Sequence, residues 1–257
     1  MSEKKPLSGY VKTTVSGGVA EIEFYHPAHN SLPGALLADL ASKILAAGRD
    51  EKVMVILLKS AGDRTFCAGA SFDELISIED ESTGKKFFMG FANVINAIRT
   101  CGKLVIGRVQ GKAVGGGVGV LSATDYCFAT RYASIRLSEL AVGIGPFVIG
   151  PAVSRKTGLA TFSKLALSPN EWQSAQYAAE VGLYAGVFDS TEELDTHLSE
   201  VLKELSSYNP KALNQLKKVF WEGTEDWGNL LEERAIVSGK LVLSEFSKKT
   251  ITAFKNR

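Results

Sequence analysis

Residues 53–58, Val-Met-Val-Ile-Leu-Leu, hold no polar position. A strand with one face in water alternates apolar and polar side chains, so an unbroken run needs cover on both faces. Strands of that kind belong to parallel sheets packed between helices, and residues 104–109 read as a second one. Helical patterns separate them. Ser31 with Pro33 opens a repeat of Leu36, Leu37, Leu40, Ile44 and Leu45 that Gly48 closes, and a second helix is expected over 81–99. Ahead of these, residues 10–15 and 19–25 alternate at period two around Ser16-Gly17-Gly18, the mark of a β-hairpin. Residues 126–130 and 135–137 read as further strands. Strand and helix in alternation give an α/β class.

The C-terminal part has another character. Ser168-Pro169-Asn170-Glu171 and Ser190-Thr191-Glu192-Glu193 have the form of capping boxes that open helices. Amphipathic stretches follow at 191–206, 210–222 and 226–246. The expectation is an α/β core over 1–190 and a helical subdomain over 191–257.

Charge excludes several roles. With 29 basic and 28 acidic side chains the chain carries a net +1, unlike proteins that grip a phosphate backbone through basic patches. No apolar run approaches the length of a membrane span, and the start, Met1-Ser2-Glu3-Lys4-Lys5-Pro6, has no apolar stretch behind its charges. Cys67, Cys101 and Cys127 are too far apart for a metal or redox motif. The expectation is a soluble, cytoplasmic protein without disulfides, metal, membrane or nucleic-acid partner.

Glycine is concentrated: 11 of the 25 glycines lie between Gly102 and Gly158. Gly115-Gly116-Gly117-Val118-Gly119 follows a buried strand, yet no Gly-Lys-Ser/Thr follows and position 120 is Val120, so neither a P-loop nor a dinucleotide fingerprint is present. A glycine turn into a helix offers unpaired N–H groups to an anion or a developing oxyanion; the plainer reading is a tight strand–helix crossing. Residues 66–71, Phe-Cys-Ala-Gly-Ala-Ser, form a second loop of small residues at the C-terminal end of a buried strand, the edge where open α/β sheets bind ligands. Cys67 has no base near it in sequence and reads as a packed, inert thiol. Glu139 stands in apolar surroundings that would raise its pKa towards proton-transfer chemistry, unless the side chain escapes to the surface or caps a turn. Asp125 reads as a turn or strand-end residue. Phe87, Phe88 and Phe91 read as helix core, with the lining of an acyl pocket as the alternative. His26, His29 and His197 are scattered, and no nucleophile-elbow pattern accompanies them.

In combination these segments resemble the crotonase family, the enoyl-CoA hydratases and isomerases. His26-Pro27-Ala28-His29-Asn30-Ser31-Leu32 is similar to the family's Arg-Pro…Asn-Ala-Leu, and Phe66-Cys67-Ala68-Gly69-Ala70-Ser71 to its Phe-x-Ala-Gly-Ala-Asp. Residues 109–117, Val-Gln-Gly-Lys-Ala-Val-Gly-Gly-Gly, resemble its Asn-Gly-x-Ala-x-Gly-Gly-Gly, and Glu139-Leu140-Ala141-Val142-Gly143-Ile144 its Pro-Glu-x-x-x-Gly-Ile. Ser244-Glu245-Phe246-Ser247-Lys248-Lys249 with Ala253-Phe254 is similar to the closing helix. Five pieces in the right order span nearly the whole chain.

The resemblance implies a spiral of ββα turns with a helical C-terminal region that packs a homotrimer or a dimer of trimers. It implies an acyl-CoA substrate, with coenzyme A part of that substrate and no separate cofactor. The N–H groups of Ala68 and Gly116 would form an oxyanion hole, Ala28, Ala68 and Ala70 would hold coenzyme A, and Gly115, Gly119, Pro146 and Phe147 would line the substrate pocket. Glu139 would be the catalytic base and acid. There are departures too. Where hydratases of the family carry a first glutamate, after the triple glycine, this chain has Gly119, and the usual Arg and Asp of the two loops are His26 and Ser71. One carboxylate suffices for a proton shift from C2 to C4, so the expectation is isomerisation of a 3-enoyl-CoA to a 2-enoyl-CoA. Hydration of a 2-enoyl-CoA and an inactive acyl-CoA-binding paralogue are the alternatives.

Overall fold

β1 (Tyr10–Ser16) and β2 (Val19–Tyr25) form the expected antiparallel hairpin, with Tyr10 opposite Tyr25 and Ser16 opposite Val19. Gly17 and Gly18 turn it with φ of 57° and 81°, a pair of positive φ values whose twist matches the flanking strands. The structure is a computed structural model that describes residues 8–255, with side chains through Ala253. The N-terminal segment 1–6, the Phe254 side chain and residues 256–257 of the expected 191–257 region lie outside the described residues.

Helix α1 (Gly34–Arg49) buries Leu37, Leu40, Ala41, Ile44 and Ala47 along one face, the stripe that a period of 3.6 produces. It does not stop at Gly48. A Cβ at that position would lie 2.2 Å from the Cys101 carbonyl oxygen, so the glycine serves a helix-to-backbone contact rather than a cap.

From β2 onward the chain repeats one turn of a spiral. β3 (Val55–Ser60) and β4 (Thr65–Cys67) lead to α2 (Phe72–Ile76) and α3 (Glu81–Thr100). β5 (Leu104–Val109) and β6 (Lys112–Val114) lead to α4 (Gly116–Ala123). β7 (Tyr126–Thr130) and β8 (Ile135–Arg136) lead, through a 3-10 turn at Glu139–Val142, to α5 (Gly150–Thr157). Then come α6 (Leu159–Leu167), α7 (Ala175–Glu180), β9 (Gly186–Phe188) and the helices α8 (Thr191–Ser207), α9 (Pro210–Phe220), α10 (Trp227–Leu241) and α11 (Glu245–Lys255). The first strand of each turn joins a six-stranded sheet, ordered β1-β2-β3-β5-β7-β9, and the second joins a three-stranded sheet, β4-β6-β8. After the hairpin the pairings between these strands are all parallel. A single parallel bridge between Leu32 and Ala70 supplies the small-sheet step of the turn that holds β2 and α1. The spiral of ββα turns is the fold.

β3 shows why the apolar run was needed. Ile56 and Leu58 point into the core shared with α1 and α3, while Val55 and Leu57 point to a second core closed by Leu194, Leu198 and Leu202 of α8 and Leu213 of α9. Between α4 and β7, Asp125 accepts from Lys217 Nζ (2.6 Å), Trp221 Nε1 (2.9 Å) and Val105 N (2.7 Å). That buried pair fastens α9 beneath the sheet, and the ties from two elements satisfy a charge that would be costly alone. Trp227, Leu231 and Ala235 of α10 enter the same core as the sheet, and among the described residues no helix is long and apolar enough to cross a membrane.

Two helix expectations change. Ser168-Pro169-Asn170-Glu171 opens no helix: Ser168 closes α6, and α7 starts after Ser174, whose hydroxyl accepts from Tyr177 N. The cause is an antiparallel bridge in which Ile135 and Gln173 exchange two 2.9 Å hydrogen bonds, holding that stretch extended. The 226–246 stretch is two helices, because Ser244 Oγ accepts from Ser247 N at 3.2 Å and caps α11. By contrast, Ser190 caps α8 as its sequence suggests, accepting from Glu193 N at 3.1 Å.

Candidate active site

The loop after β2 bends through His29 and Asn30 at φ 53° and 56°, a left-handed conformation that non-glycine residues adopt at a cost. Asn30 offsets it. Its Nδ2 donates to Ala61 O (2.7 Å) and Thr65 O (2.8 Å), and its Oδ1 accepts from His26 N (3.0 Å). The bend brings the His29 carbonyl to Ala68 N–H (3.1 Å) and Leu32 N–H to the Gly69 carbonyl (2.9 Å). The 26–32 segment and the 65–71 loop are thus stitched together.

That stitching corrects one expectation. Ala68 N–H is occupied by the His29 carbonyl, so it is not free to hold a substrate oxygen. Two residues on, Ala70 N–H makes no hydrogen bond within the described residues, and Ala70 lines the largely apolar cavity beside the loop. Gly69 between them has φ 90°, and a Cβ there would lie 3.0 Å from Val114 O and 3.8 Å from Gly116 N. Only glycine lets the first small-residue loop come this close to the second.

The second loop is built the same way. Gly115 N–H donates to Arg136 O (2.8 Å), and the Gly115 carbonyl accepts from Val118 and Gly119 to start α4. Gly116 N–H stands in the first turn, where a helix has no internal acceptor, and has no partner among the described residues. Gly115 has φ 51°, and a Cβ on it would sit 2.8 Å from Glu139 Oε1. The carboxyl therefore lies directly against the residue that precedes the free N–H.

Glu139 begins the 3-10 turn, which Gly143 closes at φ 78°. Its Oε2 is buried with no hydrogen-bond partner among the described residues. Burial raises the pKa from the usual 4.5 to about 7, and the backbone amides of Glu139 and Ser138 pull it partly back. Among the described residues Glu139 is the only titratable side chain lining the cavity. The rest of the wall includes Leu75, Phe88, Phe91, Ile144, Pro146 and Phe147. Phe88 and Phe91 line the cavity as well as packing in the core, while Phe87 packs with the cluster around α11.

Gly115, Pro146 and Phe147 line the cavity as expected; Gly119 does not. A Cβ on Gly119 would lie 2.3 Å from Ile149 Cγ2, and Ile149 itself faces the cavity. Ala28 is likewise away from the cavity wall, its N–H facing His26 Nδ1 at 3.4 Å. Cys67 is buried, its thiol pushed up to about 12 by desolvation, so it stays protonated and inert. No three His, Cys, Asp or Glu side chains among the described residues could hold a metal ion.

Sequence reasoning passed over Asn30 and Ile149. Asn30 carried a signal, since Asn is the residue most tolerant of left-handed backbone after glycine; Ile149 carried none. The assembled site pairs two free N–H donors from separate loops with one carboxyl poised near neutrality. It can hold a carbonyl oxygen as negative charge develops and move a proton beside it.

Residues 14–257 match the family model described as enoyl-CoA hydratase/isomerase. The chain is 27% identical over 241 residues to the short-chain-enoyl-CoA hydratase of Clostridium acetobutylicum, covering 93% of this chain and 91% of that protein. It is 26% identical over 231 residues to a peroxisomal Delta(3,5)-Delta(2,4)-dienoyl-CoA isomerase of Arabidopsis thaliana, covering 84% and 81%. In fold it is similar to the enoyl-CoA hydratase of Bacillus halodurans, with a TM-score of 0.87 at 23% identity over 95% of this chain and 99% of that one.

Proposed function

Because the chain belongs to the enoyl-CoA hydratase/isomerase family, whose members act on acyl-CoA thioesters, we propose that it moves the double bond of a 3-enoyl-CoA to the 2 position. The thioester oxygen is held by the N–H groups of Ala70 and Gly116. The Glu139 carboxylate takes a proton from C2, the electron pair delocalises onto the thioester oxygen and C4, and the protonated carboxyl returns the proton to C4. No water enters and no group leaves. A carboxyl with a pKa of about 7 can run both half-steps at neutral pH, since proton transfer is most efficient near the operating pH.

The observation that carries this reading is the single carboxyl. Ile149 fills the space over Gly119 where a second acid would have to stand, and the cavity offers no other titratable side chain among the described residues. The test is Glu139→Gln with 3-enoyl and 2-enoyl thioesters as substrates, products followed by mass spectrometry in heavy water. Isomerisation with the substrate's own C2 hydrogen delivered to C4, and therefore little deuterium there, is expected in the wild type, with a loss of about 10²–10⁴-fold in the variant. A 3-hydroxyacyl product carrying solvent oxygen would make the protein a hydratase. Tight thioester binding with no turnover would make it a binding protein.

A further inference from the structure

Ser238, on α10, is 1% exposed and lines the same cavity as Glu139. Some helical hydroxyls bond back to the preceding turn, as Ser122 Oγ does to Val118 O (2.8 Å) and Thr157 Oγ1 to Val153 O (2.9 Å), while Ser206 Oγ in α8 has no partner among the described residues. The Ser238 hydroxyl makes no hydrogen bond at all within the described residues. A hydroxyl without a protein partner in a wall of phenylalanine and aliphatic side chains is a weak spot, and an oxygen on whatever fills the cavity would satisfy it.

The hydroxyl is also held in place. Next to it, Gly239 meets Gly84 of α3 backbone against backbone: a Cβ on Gly239 would lie 2.7 Å from Lys85 N, and one on Gly84 would lie 2.8 Å from Gly239 Cα. No side chain separates the helices at this crossing, so the depth of Ser238 in the wall is fixed by main chain. No lysine or arginine among the described residues lines the cavity. An anionic chain end would therefore be buried without a counter-charge, beside Glu139. With the thioester oxygen placed at Ala70 and Gly116 and C2 beside Glu139, the part of the substrate left to meet α10 is the acyl chain.

We infer that Ser238 selects the acyl group: the preferred substrate carries a neutral oxygen function, a hydroxyl or a ketone, on the chain beyond its double bond. The inference rests on the acyl-thioester reading above but not on which reaction follows. Three sets of short- and medium-chain 3-enoyl-CoA thioesters of equal length test it, one bearing a hydroxyl or keto group, one purely hydrocarbon and one ending in a carboxylate. kcat/KM is measured on wild type and Ser238→Ala, with calorimetric Kd for the matching saturated thioesters, which cannot react. Wild type is expected to favour the oxygenated chain, and the preference is expected to fall about tenfold in the variant, the usual worth of one recognised hydrogen bond. Both proteins are expected to bind the carboxylate chain most weakly. An unchanged preference in Ser238→Ala, a wild-type preference for the hydrocarbon chain, or tightest binding of the carboxylate chain overturns the inference. If no thioester is isomerised while a Ser238-dependent preference persists in the Kd values, the isomerase reading fails and the selection by Ser238 stands. If isomerisation proceeds with no such preference, the reverse holds.

Discussion

At Glu139, folding places a carboxyl where it is less comfortable than in water. The Oε2 atom has no partner among the described residues, and burial holds the pKa at about 7 instead of 4.5. Two consequences follow with opposite signs. The carboxylate is the base, so kcat/KM should rise with pH up to about 7 and level off above it, as a pH–rate profile would show. For stability the folded state binds this proton more tightly than the unfolded one, so the stabilisation is complete below 4.5 and is lost as pH rises through about 7. Glu139→Gln should therefore be more stable than wild type at pH 8, by an amount on the order of 2–3 kcal/mol, and the gap should close in acid; urea titrations at both pH values measure it. The sequence showed the apolar neighbours of Glu139 that make this so. It did not show which N–H the first loop leaves free, because the His29 carbonyl that occupies Ala68 arrives from another segment.

Among the elements, the long strands were legible because burial on both faces leaves a mostly apolar run; β5 and β7 have the bounds their patterns suggest, while β3 runs over 55–60 instead of the 53–58 expected. Short pieces were not. β4 and β6 have 3 residues each, too few to show a period. Gly48 illustrates the limit from the other side. Inside α1 alanine is the better helix former by about 1 kcal/mol, so helix propensity by itself favours Gly48→Ala as a stabilising change. The 2.2 Å approach to Cys101 O reverses the sign, since overpacking against main chain costs about 1–3 kcal/mol. Gly48→Ala should lower the urea midpoint with the slope unchanged.

For the molecule as a whole, α9 presents Leu216, Val219 and Phe220 at 46%, 54% and 45% exposure, spaced to share one helix face. α6 leaves Leu159 and Leu167 still more open, at 68% and 74%. The α9 surface supports the proposal that copies of the chain assemble through the C-terminal helical region, and α6 would add to it. Sedimentation should give a mass of three or six chains, and Val219→Glu with Phe220→Glu should reduce it; a single-chain mass for the wild type would remove the proposal. By itself the sequence determined the order of buried strands, the hairpin, and the glycines that a positive φ demands at 69, 115 and 143, because those requirements act on a residue and its chain neighbours. Only the tertiary structure decided that Ala70 rather than Ala68 has an N–H to spare, that Ile149 covers Gly119, and that Ser238 faces the cavity unpaired. A hydrogen bond already made, a space already filled and a wall already closed each depend on residues distant in the chain, and the local pattern carries no trace of them.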